Sequence, residues 1–387
     1  MNIRFSTMKI PKYRLVLLTV FTASLLFFLV QMRILPGKSQ RNPWPKGFEL
    51  VDMLMQLIQR NYLEERDPVQ TADGAFRGIV NSLDPVSSYL NRELTVRYAA
   101  RGPNDTGTGL VVFKRYGSFP QVVGVVPGSP ADKESVKAGD LVSAIEHHGT
   151  LGMSQAEVEL LLGGTDEKPV QIKLLRANDT RELALARARL FAKDYAFAPA
   201  APGRPAVLSV RRFTPALAAG IRKDLLPALK ALKTPLVVDL RNASGGDFAA
   251  AKAFVNLFLK VDTVGSFEKK GNVKETVACP APAELAGLPV AVWVNTGTIG
   301  PAEFAAGVLQ EVRKAKVVGL ETVGAVARTE SFPLSDGSSI ILVSGVFSLP
   351  SGRSLWGKGL TPDTAVPFDD QGDKTYIGKT LPLLPKI

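Results

Sequence analysis

The sequence has very little of the residue types that most often build disulfides, metal sites and histidine-based catalytic sites. Its 387 residues include one cysteine, Cys279, so no disulfide can form within the chain. Only two histidines are present, the adjacent pair His147 and His148. This excludes a histidine-rich metal site, and a Ser-His-Asp triad would have to use one member of the pair. We expect neither a metal nor a cofactor.

A large excess of positive charge is also missing from most of the chain. The net charge is +11, but eight Lys and Arg residues precede the first acidic residue, Glu49. Subtracting these eight from eleven leaves +3 for the rest. So balanced a body offers no strong electrostatic surface to a polyanion, and we expect no nucleic-acid partner.

Charged residues are absent from the run Leu15–Met32, which follows four basic residues and closes at Arg33. Eighteen residues of helix span about 27 Å, close to the thickness of the hydrocarbon core. We expect a cytoplasmic tail at 1–14, a transmembrane anchor at 15–32 and a linker at 33–47. The basic flank places the body outside the cytoplasm, on the inner membrane facing the periplasm. A cleaved signal peptide is the alternative.

Three segments with different periodicity follow the predicted linker. The spacing of apolar residues predicts two helices within 48–98, separated by a turn near Asp67, with a polar turn at Ser82–Leu90. Residues 104–190 show short strands and one helix near Ser154–Leu162. From 191 to 387 strands alternate with helices, which predicts a largely parallel sheet covered by helices. The fold class is therefore α+β with several domains.

Three phrases in these segments resemble the carboxy-terminal processing (tail-specific) peptidases, peptidase family S41. The phrases are SLDPVSSYL from Ser82, VVPGSPADKESVKAGDLVSAIEHHG in the short-strand segment, and VVDLRNASGG from Val237. The resemblance implies a β-barrel-like PDZ domain at 104–190 and a crotonase-like core at 191–387. PDZ domains bind an extended tail as an added strand and receive its carboxylate on loop amides. The peptide-binding loop would comprise Gly107, Thr108, Gly109 and Leu110.

The same resemblance implies a serine nucleophile and a lysine base, but this chain has neither at the matching positions. Gly300 stands at the nucleophile and Ala325, twenty-five residues later, at the lysine. Thr329 replaces a glutamine that orients the lysine in relatives. An oxyanion donor would come from Pro301, which has no N–H, so only the Gly245–Gly246 loop could still donate. Locally, Gly300, Pro301 and Glu303 still suit a helix start.

An active enzyme with a relocated nucleophile is the alternative reading. Thr296 and Thr298 are the hydroxyls nearest in sequence, and Lys314 and Lys316 the nearest lysines. Those lysines more simply complement a helix end, and Asp239 with Arg241 more simply form an ion pair. We therefore expect a catalytically silent, membrane-anchored family member that binds unstructured C-terminal tails as a scaffold or regulator. It could also pair with itself or with active relatives.

Overall fold

The structure is a computed structural model that describes residues 44–65, 67–102, 106–164, 168–280 and 283–384. The predicted tail and anchor, 1–32, and most of the predicted linker lie outside these ranges. None of the helices within them combines the length and apolar character needed to cross a membrane. The chain divides into two compact units, Met1–Ala72 and Asp73–Ile387.

The two predicted helices of the segment 48–98 are present. Helix α1 is Trp44–Asn61 and helix α2 is Pro68–Asn81, so α1 begins within the predicted linker. The apolar face predicted for α1 is exposed: Leu50, Met53, Leu54 and Leu57 each keep more than half of their side-chain surface in solvent. The helical periodicity was therefore a correct signal, but these side chains are not part of a core.

The segment that resembles the family phrase at Ser82–Leu90 is only partly a turn. Asp84 accepts hydrogen bonds from the amides of Val86 and Ser87, as in a turn closed by an Asp side chain. Residues Ser88–Leu90 then form strand β1, which is fully buried and pairs with a late strand. The prediction of a polar turn throughout was wrong, because a three-residue buried strand carries no periodicity of its own. Helix α3, Arg92–Ala99, follows.

Residues 106–190, which we call the small domain, form a sheet flanked by helices. Its central strands pair in the order β3-β4-β5-β8-β9, all antiparallel, and β3 is an edge strand. The elements are β2 Thr106–Gly107, β3 Leu110–Phe113, β4 Gln121–Val125, α4 Pro130–Lys133, β5 Leu141–Ile145, β6 His148–Gly149, α5 Gln155–Leu162, β7 Gly163–Gly164, β8 Val170–Arg176 and β9 Asp179–Leu185. The short strands predicted at 109–113, 121–126, 141–145 and 170–175 are present as β3, β4, β5 and β8, whereas β9 was missed.

Residues 191–384, which we call the large domain, contain the predicted parallel sheet. Its order is β10-β11-β12-β15-β16-β19, parallel except for the edge pair β10 and β11. Its elements are β10 Tyr195–Ala198, β11 Ala206–Val210, α6 Leu217–Asp224, α7 Leu226–Lys230, β12 Leu236–Asp239, α8 Phe248–Val255, β13 Val261–Lys269, β14 Val273–Cys279, β15 Val290–Val294, α9 Pro301–Glu311, β16 Lys316–Gly319, β17 Ala327–Pro333, β18 Ser339–Ser348, β19 Thr364–Ala365, α10 Asp373–Thr380 and a 3₁₀ turn Leu381–Leu383.

A second, antiparallel sheet, which joins β1 to strands of the large domain, was not predicted. Its order is β1-β18-β13-β14, with β17 also paired to β18. These strands alternate buried with exposed residues only in part, and β13 carries register shifts against β14. Irregular ladders of this kind weaken the two-residue periodicity on which a sequence prediction relies. The mixed α/β fold therefore combines one predicted layer with one unpredicted layer.

Strand β4 of the small domain is attached to loops that follow strands of the large domain. Asn242, just after β12, donates to Val125 O at 2.9 Å, and the Thr296 hydroxyl donates to Val123 O. Gly124 lies between these two acceptors with no side chain to hold the loops away. The contact thus sets the position of the small domain against the carboxyl ends of the parallel strands.

Replacing Gly124 with alanine is expected to loosen this attachment. A Cβ at residue 124 would lie 2.1 Å from Asn242 Oδ1, and Asn242 is itself held by Val125 O and by the Asn295 amide. We expect the free energy of unfolding to fall by about 1 to 3 kcal/mol, the usual cost of overpacking. Urea denaturation measures the change. Gly149→Ala is the matched control, because nothing lies within 4 Å of a Cβ there; equal effects would contradict the assignment.

Candidate functional site

The helix start predicted at Gly300 is present. Gly300 precedes α9 with φ of +61°, and Pro301 is the first helical residue. The Gly300 amide donates a hydrogen bond to the Glu303 carboxylate at 2.9 Å. A Cβ built on Gly300 would meet only Ala325 O, at 3.6 Å. The backbone therefore leaves room for a side chain where the family resemblance implies a nucleophile, and no hydroxyl is there.

Glu303 connects the start of α9 to the loop that carries Ala325. Its carboxylate is fully buried and accepts four hydrogen bonds, from the Thr322 hydroxyl and from the amides of Gly300, Gly324 and Ala325. Burial raises the pKa of the Glu303 carboxyl, and these four donors oppose that shift. The two segments that matter for the family chemistry are thus held together by one side chain.

Ala325 lies in an apolar cluster rather than beside any base. The cluster contains the small-domain residues Val111, Phe113, Val123 and Val126, with Ile299 and Phe191 packed against it. Ala325 keeps 8% of its surface exposed. The position implied for a general base is therefore occupied by an alanine methyl group that packs among apolar side chains.

The two candidate relocated nucleophiles are both engaged by backbone groups. The Thr298 hydroxyl donates to Leu240 O at 2.8 Å, accepts from the Asn295 amide at 3.0 Å and is fully buried. The Thr296 hydroxyl donates to Val123 O, as described above. Thr329 is exposed on β17. The Thr296 and Thr298 hydroxyls act as structural donors between strands and loops.

The Gly245–Gly246 loop retains the conformation expected of a backbone donor. Both residues have positive φ, +80° and +101°. A Cβ at Gly246 would lie 2.2 Å from Phe213 O, so only glycine fits there. Within the residues that the structure describes, neither amide has an acceptor, and the Asp247 amide instead donates to Phe213 O at 2.9 Å. The loop can therefore donate to a ligand.

The predicted peptide-binding loop has one open amide, that of Gly109. The Gly107 amide donates to Ala188 O at 2.9 Å, and the Leu110 amide makes a long contact of 3.4 Å with the Thr108 hydroxyl. Gly107 is paired with Gly163 of β7 while its own backbone groups bond to Ala188, so the ladder directs the Thr108 amide towards Leu162 O. The Gly109 amide has no acceptor among the described residues. Gly109 has φ of +86° and packs directly on Ser129, which excludes a larger residue.

One cavity joins these two loops. It has a volume of about 540 Å³. Its lining includes Gly107–Leu110, the α5 residues Glu159, Leu160 and Leu162, and Ser244–Gly246 together with Ile299. Four arginines and one glutamate are the charged side chains among its described lining residues: Arg97, Arg101, Arg189, Arg212 and Glu159. The cavity therefore carries an excess of positive charge, which favours an anionic group.

The remaining candidate residues are the histidine pair, the Asp239–Arg241 ion pair and the two lysines. His147 is exposed in the turn after β5, where Glu146 and His147 have positive φ, and His148 is exposed at the start of β6. Arg241 forms two hydrogen bonds with the Asp239 carboxylate, at 2.9 and 2.7 Å. Lys314 and Lys316 are exposed. In the described parts of the chain no group of three or more His, Cys, Asp or Glu is arranged to hold a metal ion.

Comparison with known proteins points to one family. The description "Peptidase family S41" matches residues 206–366. A probable CtpA-like serine protease of Staphylococcus epidermidis is 25% identical over 321 residues, which are 82% of this chain and 65% of that protein. A relative of the same description from Staphylococcus haemolyticus is 23% identical, over 82% of this chain and 64% of its own length. This chain thus spans less than two thirds of the curated relatives that it matches.

Among solved structures, the photosystem II D1 C-terminal processing protease has the same fold. Its TM-score is 0.68 with 21% sequence identity, and the match covers 86% of this chain and 90% of that protein. At this identity the likeness concerns the fold alone.

Glu303→Gln is expected to destabilise the protein strongly. An amide has only one oxygen, so its NH₂ group would face a backbone amide that now donates to the carboxylate. We expect a loss of about 2 to 4 kcal/mol in the free energy of unfolding. Guanidinium denaturation measures it. Glu330→Gln makes the same change at an exposed residue of β17 and should cost almost nothing; a similar loss in both variants would refute the role of the network.

Proposed function

The chain belongs to peptidase family S41, and on that premise we propose that it binds the C-terminal tails of proteins without cutting them. In this proposal the small domain acts as a PDZ domain and the large domain as a non-catalytic S41 core. Such a protein would serve as a scaffold or regulator of proteins whose tails it holds.

The cavity shared by the two glycine loops is the observation that carries this proposal. A tail that ends at the Gly107–Leu110 loop would place its carboxylate on the open Gly109 amide. The excess of arginine in the lining supports attraction of that carboxylate. The same cavity extends to the Gly245–Gly246 loop. The residues that precede the terminal carboxylate would therefore have space near Gly300.

Three independent losses argue against cleavage at that centre. Gly300 offers no nucleophile, and the apolar cluster around Ala325 offers no base. Pro301 cannot donate the second oxyanion hydrogen bond. Loss of one such donor raises the barrier by about 3 to 4 kcal/mol, and loss of a nucleophile costs about a million-fold in rate in a serine protease. The losses therefore remove covalent catalysis by this site.

A relocated nucleophile receives no support from the contacts of Thr296 and Thr298. A nucleophile needs a base within hydrogen-bond reach of its hydroxyl. Both threonine hydroxyls instead donate to carbonyl oxygens, and Thr298 is closed to any substrate by burial. The binding function is therefore favoured over the peptidase function.

The setting of this activity follows from the predicted anchor. With residues 15–32 in the inner membrane, the body would face the periplasm and meet the tails of envelope proteins. Assembly with a second copy or with an active S41 relative is compatible with this setting and is part of the proposal. Neither nucleic acid nor a cofactor is required.

A peptide titration tests the binding function directly. We expect the full-length protein, purified in mild detergent, to bind a fluorescent peptide with an apolar unstructured tail and a free carboxylate. The same peptide with an amidated terminus should bind at least about ten-fold more weakly, because the charge-assisted hydrogen bonds of the carboxylate are lost. Fluorescence anisotropy measures both affinities. Equal affinity for the two peptides, or no binding of either, would rule the function out.

Restoring the missing hydroxyl alone should not restore cleavage. Gly300→Ser has space for its side chain but must adopt φ of +61°, which costs about 1 to 3 kcal/mol. We expect a folded variant with no peptidase activity, since position 325 supplies no base. Mass spectrometry of an unfolded substrate after incubation provides the readout. Cleavage by Gly300→Ser would reveal a base that the contacts described above do not contain.

A further inference from the structure

The free edge of β3 is the surface to which a tail would add as a strand. Gly109 O accepts from the Val126 amide on the β4 side, and the ladder alternates from there along β3. Beyond the bulge in β4, Val122 exchanges backbone hydrogen bonds with Gly139 and Asp140, which precede β5, rather than with β3. The backbone groups of Leu110, Val112 and Lys114 therefore point away from β4, towards α5.

Two of these edge groups are already bound by one side chain of α5. Gln155 Nε2 donates to Val112 O at 2.9 Å, and the Lys114 amide donates to Gln155 Oε1 at 2.8 Å. Gln155 Nε2 also donates to Glu159 Oε1 at 2.7 Å, which fixes the orientation of the amide. The Gln155 carboxamide thus makes the two hydrogen bonds that an added strand would make with Val112 and Lys114.

The position of β3 under this amide is fixed from the other side. The Lys114 side chain is 2% exposed, and its Nζ donates to the carbonyl oxygens of Arg115, Ser118 and Leu151. An ammonium group with three acceptors in a buried site is held firmly, because its release would leave a charge unpaired. The strand end therefore cannot easily shift to offer its groups to another partner.

The register of a bound tail follows from the loop that would receive its carboxylate. That loop lies at the start of β3, so the tail runs antiparallel to β3. Its last residue would then pair with Leu110, its third-last with Val112 and its fifth-last with Lys114. In this register the third-last N–H would donate to Val112 O, and the Lys114 amide would donate to the fifth-last carbonyl. Gln155 already binds both Val112 O and the Lys114 amide.

Building on the proposed function, we infer that Gln155 limits strand pairing to the last two residues of a tail. The carboxamide takes the place of the tail's main chain from the third-last residue onwards. Upstream residues therefore leave the β3 edge and contact the remainder of the cavity through their side chains. Gln155 is in this sense a residue that determines how a tail is read.

Replacing single amides of a tail peptide by esters tests this limit. An ester removes one N–H and leaves the side chains unchanged. For the wild-type protein, an ester at the third-last residue should change the dissociation constant less than two-fold, whereas an ester at the last residue should weaken binding about five-fold, the worth of one hydrogen bond. Gln155→Ala should bind the all-amide peptide about five-fold more tightly and lose that gain with the third-last ester.

A matched variant and a second readout keep the outcomes separate. Gln171→Ala removes an exposed glutamine on β8, away from the β3 edge, and should behave as the wild type. Hydrogen exchange of the Lys114 amide should accelerate in Gln155→Ala even without peptide. Equal ester effects in the wild type and in Gln155→Ala, or unchanged hydrogen exchange of the Lys114 amide, would overturn the inference about Gln155 but not the proposed function. Absence of tail binding by every variant would overturn the proposed function, and the limit with it.

Discussion

The buried carboxylate of Glu303 is the constraint on which the rest of the site depends. Four donors from two segments converge on it, so it fixes the positions of the backbone at Gly300 and of the loop at Ala325. A buried carboxylate that lost these donors would cost several kcal/mol. The fold therefore requires this arrangement of Gly300 and the Ala325 loop for its stability, whether or not the site has a catalytic role.

The proposed binding without cleavage requires that substrate positioning and bond cleavage depend on different groups. Substrate positioning depends on strand edges, glycine loops and the contact between the two domains, whereas bond cleavage depends on a few groups placed within hydrogen-bond reach. In this chain the domain contact through Asn242 and Thr296 is intact. A glycine, a proline and an alanine stand where the family resemblance implies the groups for cleavage, and on this basis we propose binding without cleavage.

Local features were predictable from the sequence, and spatial ones were not. The helix start at Gly300, Pro301 and Glu303 follows from neighbours within four residues, and the parallel strands follow from their continuous apolar runs. The antiparallel sheet around β18 was missed because its ladder is irregular and joins residues more than two hundred positions apart. The bonds of Gln155 to β3 cross about forty residues and leave no local pattern. For the same reason no motif revealed that Thr298 is buried.

Mass analysis of a bound C-terminal tail tests directly whether the protein binds tails without cutting them. An equimolar mixture of the full-length protein and an unfolded protein with an apolar C-terminal tail is incubated to binding equilibrium and analysed by intact mass spectrometry. We expect the tail to be bound and its mass to be unchanged. A shortened product that disappears when Thr298 is replaced by alanine, or when Gly245 is replaced by a residue that closes the loop, would contradict the account.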